Sequence, residues 1–299
     1  MTQPDTGASK REQTKETTAS CPIDPDEKAE EGMSGLSNNW IRKVWSSGSY
    51  AEIAPQYAPM AGHLVERTDV SADDTVLDVG CGTGTVAITA ARCGAEVTGV
   101  DITPGLLDRS REGAETADIE GISWREGDAT ALPFGNESFD VALSNLGHMY
   151  GDPPDDAARE LLRVVRPGGR IGFTAWTPGS VYPSMGMAAL GVLSPSDLPD
   201  FSEPPFLWGE PDVVRRRIGD SVEDLAFETG TIRFPALSPE HFWERTATTS
   251  GLFIELLDGV EEPVRQRLRE RMVDAIGSHF NRRQNAVELE YRLATASVK

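Results

Sequence analysis

Lysine is scarce in this 299-residue chain: Lys10, Lys15, Lys28, Lys43 and Lys299 are all there are, and none lies between 44 and 298. Acidic residues number 48 against 28 basic ones, so the net charge is −20. A protein that grips nucleic acid needs a basic footprint, which makes DNA and RNA poor partners. Two readings of the charge stay open. An acidic, lysine-poor surface suits a high-salt cytoplasm, where ionic strength screens self-repulsion. A genome that prefers arginine, with ordinary solubility charge, yields the same composition. Cysteine is thin too: Cys21, Cys81 and Cys93 fit no zinc or disulfide framework. His63, His148, His241 and His279 are scattered, so no metal site is expected. No apolar run approaches the roughly 20 residues of a membrane span. No basic stretch followed by an apolar one marks a secretory signal at the N-terminus. These absences lead to the expectation of a soluble, cytoplasmic protein without membrane insertion.

What is present is a rhythm of strands and helices. Residues 1–37, rich in Thr, Ser, Glu and Asp without apolar periodicity, read as a disordered acidic tail. Ordered structure is expected from 38 to 299 as a single domain. Ala51 to Glu66 places Ile53, Tyr57, Met60 and Leu64 on one helical face. Strands follow at Thr75–Val79, Glu96–Val100, Ile122–Arg125, Phe139–Leu143 and Arg170–Ala175, with helices between several of them. The last of these helices should stop at Pro167-Gly168-Gly169. This alternation predicts an α/β fold with a doubly wound, mainly parallel sheet. Residues 178 to 211 are rich in Pro, Gly and Ser. Beyond them the pattern suggests a helix over 212–218, a strand over 225–234, helices over 238–256 and 261–280, and a last strand over 286–296.

Residues 76–84 carry the strongest signal. Val76-Leu77-Asp78-Val79 is an apolar run ending around an acid, and Gly80-Cys81-Gly82-Thr83-Gly84 puts glycine at every second position. Glycine turns the chain sharply and brings bare backbone against a ligand. The helix that starts at Thr85 points its free N–H groups back at that ligand. The dinucleotide fingerprint Gly-x-Gly-x-x-Gly is met except that the third glycine comes one position early. Asp101 ends the second strand, where an acid can accept both hydroxyls of a ribose. Asp128, in Glu126-Gly127-Asp128-Ala129, could accept an adenine amino group. Cys81 has no neighbouring base in sequence and reads as small filler.

The chain resembles the class I S-adenosylmethionine-dependent methyltransferases, in the group that includes the ubiquinone/menaquinone-biosynthesis type. The matching pieces are VLDVGCGTG at 76–84, VTGVDITPGLLDRS at 97–110, GDATALPFGNESFDVALS at 127–144 and LLRVVRPGGRI at 161–171. The flanks WSSGSY at 45–50 and PPFLWGEPDVV at 204–214 resemble an uncharacterised small-molecule subgroup. The resemblance implies a Rossmann-like, seven-stranded sheet with the last strand antiparallel. It implies lid helices over 38–70, a cofactor-binding core over 71–177 and substrate-covering elements over 178–299. S-adenosylmethionine is the implied cofactor. Carried onto this sequence, Gly80, Gly82 and Gly84, with Cys81 and Thr83 between them, border its methionine part. Asp78 helps to hold the amino group, Asp101 with Ile102 the ribose, and Asp128 with Ala129 the adenine. Ser144 and Asn145 face the methionine part, and Trp45 and Tyr50 form a lid.

The implied activity is methyl transfer to a small, apolar or aromatic molecule. Ten of the 21 aromatic residues lie between Trp176 and Phe253 and could line an acceptor pocket. The position directly after the fourth strand reads Asn145-Leu146-Gly147-His148, without the Pro-Pro-aromatic signature of adenine- and glutamine-methylating branches. Asp152-Pro153-Pro154 comes too late to serve. His148 is the candidate base, at the sheet edge where open α/β folds bind ligands; a substrate-shaping or packed histidine is the alternative reading. Two other functions stay open: a nicotinamide-dependent oxidoreductase and a non-catalytic cofactor-binding protein.

Overall fold

The apolar run that leads to Asp78 becomes the centre of the sheet. A computed structural model describes residues 38–299 together with Met1, so the expected tail over 1–37 and Cys21 fall outside the described residues. In chain order the elements are α1 (Asn38–Ser46), α2 (Tyr50–Ile53), α3 (Ala58–Arg67), β1 (Thr75–Val79), α4 (Thr85–Arg92), β2 (Glu96–Asp101), α5 (Pro104–Thr116), β3 (Ser123–Glu126), β4 (Phe139–Asn145), α6 (Pro154–Arg163) and β5 (Val165–Trp176). Then come α7 (Val181–Leu190), α8 (Pro211–Ile218), β6 (Val222–Pro235), α9 (Pro239–Thr249), α10 (Gly251–Leu257), α11 (Glu262–Gly277), β7 (Phe280–Asn281) and β8 (Ala286–Val298). The strand order is β3-β2-β1-β4-β5-β8-β6. β1 to β5 pair in parallel, and β8 lies antiparallel between β5 and β6. The two-residue β7 pairs β8 as a small addition to the seven expected strands. Val76, Leu77 and Val79 are wholly buried, which explains why β1 reads as an unbroken apolar run and not as an alternation.

Three segments depart from the sequence expectation. The helix expected over 51–66 is broken into α2, a single 3-10 turn over Ala54–Tyr57, and α3. Pro55 and Pro59 explain the breaks, because proline has no N–H to donate and fits only a first helical turn. The Pro/Gly/Ser-rich stretch after 178 contains α7. Pro183 falls in its first turn, where no intrahelical donor is needed, and Val181 and Met185 are fully buried. The helix expected over 238–256 divides at Ser250, whose backbone is extended. β5 also starts earlier than expected, and runs through Pro167-Gly168-Gly169 with a register shift against β4.

The break at Ser250 seats α1. A Cβ on Gly251 would lie 1.7 Å from the carbonyl oxygen of Val44, so only glycine permits this approach. Gly48 pairs with Ser250 as an isolated antiparallel bridge, and Ser49 N donates to Thr249 O at 3.0 Å. Ser47 Oγ donates to Glu255 at 2.6 Å, and Lys43 forms an ion pair with the same carboxylate. The N-terminal helix and the α9–α10 corner thus act as one cover beside the ends of β1 and β4.

Candidate functional site

Neighbouring strands β1 and β4 connect onward in opposite directions, which opens a crevice at their carboxyl ends. Gly80 leaves β1 with φ +65°, and a Cβ there would lie 2.6 Å from Cα of Gly147. The two loops touch through bare backbone. Leu146, at the tip of β4, holds φ 68°, a left-handed conformation that costs a leucine energy and that recurs at ligand sites. Around this crevice lies a cavity with about 1160 Å³ of empty volume, its open mouth included.

The cofactor-facing half is organised by three acids. Asp101, at the end of β2, accepts from Gly82 N and from Thr103 N, each at 2.8 Å, and so ties the glycine loop to the start of α5. Burial pushes its carboxyl up from the ordinary range, against those two hydrogen bonds. Asp128 accepts from Thr130 N and from the Asn38 amide, both at 2.8 Å, which fastens the start of α1 over the loop after β3. Arg42 of α1 adds an ion pair to Glu126 at 2.5 Å. Asp78 lies deeper. One of its oxygens accepts from Ala87 N at 3.0 Å and satisfies a free donor in the first turn of α4, whose N-cap Gly84 has no side chain to do so. The other oxygen is buried with no hydrogen-bond partner. Burial raises the Asp78 carboxyl to about 7.

The cavity brings together Gly80, Gly82, Asp101, Ile102, Asp128, Ala129 and Asn145, with Trp45 and Tyr50 above them. It leaves out the other residues singled out from sequence. Cys81 points away into the space beside Gly99, and burial pushes its thiol well up, as filler requires. Thr83 is not part of the lining. Gly84 also stands away from it: a Cβ there would lie 2.8 Å from Trp124 and 3.0 Å from Ser110, so this glycine serves the packing of α4. Ser144 is buried, donates to Val79 O at 2.6 Å and accepts from His148 N at 2.9 Å. It splices β1 to the turn after β4 without reaching the ligand space.

The expectation of a base at His148 needs correction. Its ring is fully buried behind the cavity wall, with ring centroids 4.7 Å from Phe173 and 4.5 Å from Trp208. Burial, helped by the nearby Arg217 guanidinium, drops its pKa to about 3. A ring that does not face the cavity cannot collect an acceptor's proton. Its turn does matter, because Gly147, Tyr150 and Gly151 from the same segment line the cavity.

The opposite half is aromatic. Trp45, Tyr50, Tyr57, Tyr150, Trp176, Tyr182 and Phe253 line it. Trp45 meets Tyr50 and Tyr150 edge-on at 5.5 and 5.0 Å. Tyr50 stacks on Tyr57 at 6.2 Å. Trp176 packs on Tyr182 at 5.4 Å. Sequence reasoning passed over Tyr57, Tyr150 and Asn38 as ligand-facing residues. Tyr57 was legible only as helical core, and it does pack in the core with Met60 and Leu64 while also lining the cavity. Tyr150 stands in the segment already marked after β4. Nothing local signals Asn38, whose partner is 90 residues away.

A model of the methyltransferase domain family matches residues 76–169. Two uncharacterised proteins of Mycobacterium tuberculosis are similar over more of the chain. Rv1405c is 32% identical over 264 residues, 85% of this chain and 93% of the relative. Rv1403c is 38% identical over 192 residues, 64% of this chain and 69% of the relative. Methyltransferase GfsG of Streptomyces halstedii is 40% identical over 116 residues, 38% of this chain and 41% of that protein. Among solved structures, YcgJ of Bacillus subtilis shares the fold with TM-score 0.52 at 17% identity, covering 80% of this chain and 97% of that one. BH2331 of Bacillus halodurans C-125 does so with TM-score 0.53 at 18% identity, covering 79% and 97%. The glycine loop at the β1–β4 crevice, the strand order and these relatives agree: the chain belongs to the class I S-adenosylmethionine-dependent methyltransferases.

Proposed function

We propose that this enzyme methylates a small, apolar or aromatic molecule bound in the ring-lined half of the cavity. The observation that carries this reading is the continuity of one cavity from the glycine loop to the aromatic lining. The cover of α1 and α10 beside it favours a compact acceptor over a nucleic-acid or protein chain. The net charge of −20 disfavours nucleic acid further.

The cofactor fits the residues present. Asp78 itself is buried outside the lining, two residues before Gly80, and its unpartnered Oδ1 would meet an ammonium group through a shift of the glycine loop. Gly80 and Gly82 present bare backbone to the cavity, where a Cβ would meet Gly147 or Tyr50. Asp101 would hold the ribose hydroxyls, Asp128 and Ala129 the adenine edge, and Asn145 the methionine part. When bound, S-adenosylmethionine supplies an electrophilic methyl on a sulfonium, which already contains its leaving group. The protein's task is then to align an acceptor atom behind the methyl and to keep water out. Alignment alone can supply roughly 7–11 kcal/mol of the barrier. Trp45, Tyr50 and Tyr150 would exclude water from above. Among the described residues, no lysine, arginine or histidine lines the cavity. Neither a nicotinamide site nor a purely binding role has an observation of its own in favour.

Calorimetry with S-adenosylmethionine and with NAD is the direct test of the cofactor half. Binding of the former alone is expected, and its failure to bind would sink the reading. Incubation with labelled methyl donor and cell extract should then give one labelled small molecule. Label confined to protein or nucleic acid would overturn the acceptor class.

A further inference from the structure

At the aromatic end of the cavity two phenol groups face each other. The hydroxyl oxygens of Tyr57 and Tyr182 are 3.5 Å apart, a long hydrogen bond in which either can donate, so one of the two O–H groups stays free to donate into the cavity. Both residues line the cavity. Their rings are held from several sides: Tyr57 by Tyr50 and Phe234, Tyr182 by Trp176 and Phe253. Donors fixed in advance at one spot can stabilise negative charge there without reorganising.

Behind them is a second, independent feature. Arg245, on α9, has a buried Nη2 with no hydrogen-bond partner, and no ion pair is found for this side chain among the described residues. A buried guanidinium nitrogen left unpaired is costly. Its charge acts on Tyr182. We propose that Tyr57 and Tyr182, backed by Arg245, form an oxyanion-binding pair, and that the methyl acceptor is a small phenol or enol whose deprotonated oxygen they hold. This rests on the methyl-transfer reading above and narrows its substrate class.

The pair donates and does not act as a base. Burial holds Tyr57 well above its ordinary range and raises Tyr182, while the groups facing them are Tyr50, Tyr150 and Arg245. The acceptor therefore loses its proton to solvent and enters as an anion. A lone pair on its oxygen forms the new C–O bond. The carbon–sulfur bond breaks with its electron pair left on sulfur, so the negative oxygen and the positive sulfonium become a neutral ether and a neutral thioether. An acidic hydroxyl, as in phenols and enols, makes this feasible without proton transfer to a residue of the cavity.

The test uses 4-nitrophenol, whose phenolate is coloured and whose phenol is not. It is titrated into the full-length protein at about pH 6, with and without S-adenosylhomocysteine. The bound probe should show a phenolate-to-phenol ratio at least about tenfold above that in buffer, a lowering of its pKa by about one unit. Tyr57→Phe and Tyr182→Phe should each reduce that enrichment several-fold, and Arg245→Gln should reduce it too. Should either Phe variant fail to fold, the part-exposed Arg245 carries the decision through its Gln variant. Absence of binding, binding as the neutral phenol, or full enrichment in all folded variants overturns the proposal. Calorimetry of S-adenosylhomocysteine on the same samples keeps the two readings apart. Binding of that ligand without phenolate enrichment removes the phenol pair alone. Enrichment without that ligand removes the methyl-transfer reading, and with it the acceptor role, and leaves the tyrosine pair as an oxyanion site only.

Discussion

The two halves of the cavity are made of different material. On the β1–β2 side the wall is mostly backbone, namely Gly80, Gly82 and the loop after β3, held by carboxylates that accept main-chain N–H groups. On the other side it is rings, brought from α1, α2, the turn after β4, β5, α7 and α10. A backbone wall tolerates little change, because an added Cβ has nowhere to go. A wall of rings from many elements can change one ring at a time and keep its fold. The first half suits a ligand of fixed shape, and the second can be reshaped without disturbing the first.

Substitutions can break or sharpen this contrast. The largest effect is expected from Gly80→Ala. It combines a left-handed φ with a 2.6 Å clash against Gly147, and should cost about 2–4 kcal/mol of stability together with cofactor binding. Thermal melting and calorimetry read both, and an unchanged melting point would show that the two loops separate easily. Asp101→Ala comes next. It removes the partner of Gly82 and Thr103 along with the proposed ribose contact, and cofactor affinity should fall about tenfold or more. Equal affinity in the variant would remove Asp101 from the site.

Asp78 gives a pH signature. Its carboxyl titrates near 7 in the fold, so an ammonium-bearing ligand should bind the ionised form better and gain about tenfold in affinity between about pH 6 and about pH 8. Stability of the ligand-free protein runs the other way. The folded state keeps a proton that the unfolded chain has already released, so this group's contribution declines as pH rises from about 4 to about 7 and levels off above. Asp78→Asn should flatten both profiles, and a pH-dependent affinity that persists in it would assign the effect elsewhere. The smallest effect is expected from His148→Phe on the pH profile of turnover, since the ring is neutral above about pH 3 and lies outside the cavity. A lost acidic limb in that variant would restore His148 as a proton acceptor.

The cofactor half was legible because its chemistry is local. VLDVGCGTG encodes strand, turn and helix start within nine residues, and Asp101 and Asp128 each sit just after a strand. Where the reading failed, the deciding neighbour was distant in sequence. Gly84 looked like its two companions, yet its place is set by Trp124 and Ser110. His148 looked exposed at a strand end. The single turn after β4 sends alternate residues to opposite sides, so Tyr150 faces the cavity while His148 faces Phe173 and Trp208. Tyr57 looked like core and packs there, yet it also lines the cavity.

Chain chemistry read in order was enough for the fold class and the glycine loop, while the cofactor followed from the resemblance of four motifs to a family. The fold class and the loop depend on hydrophobic period, glycine freedom and helix ends, all properties of adjacent residues. The ring-lined half of the cavity is assembled only in three dimensions. Its rings come from segments up to about 200 residues apart, brought together by burial of apolar surface, which is non-directional and leaves no spacing to read.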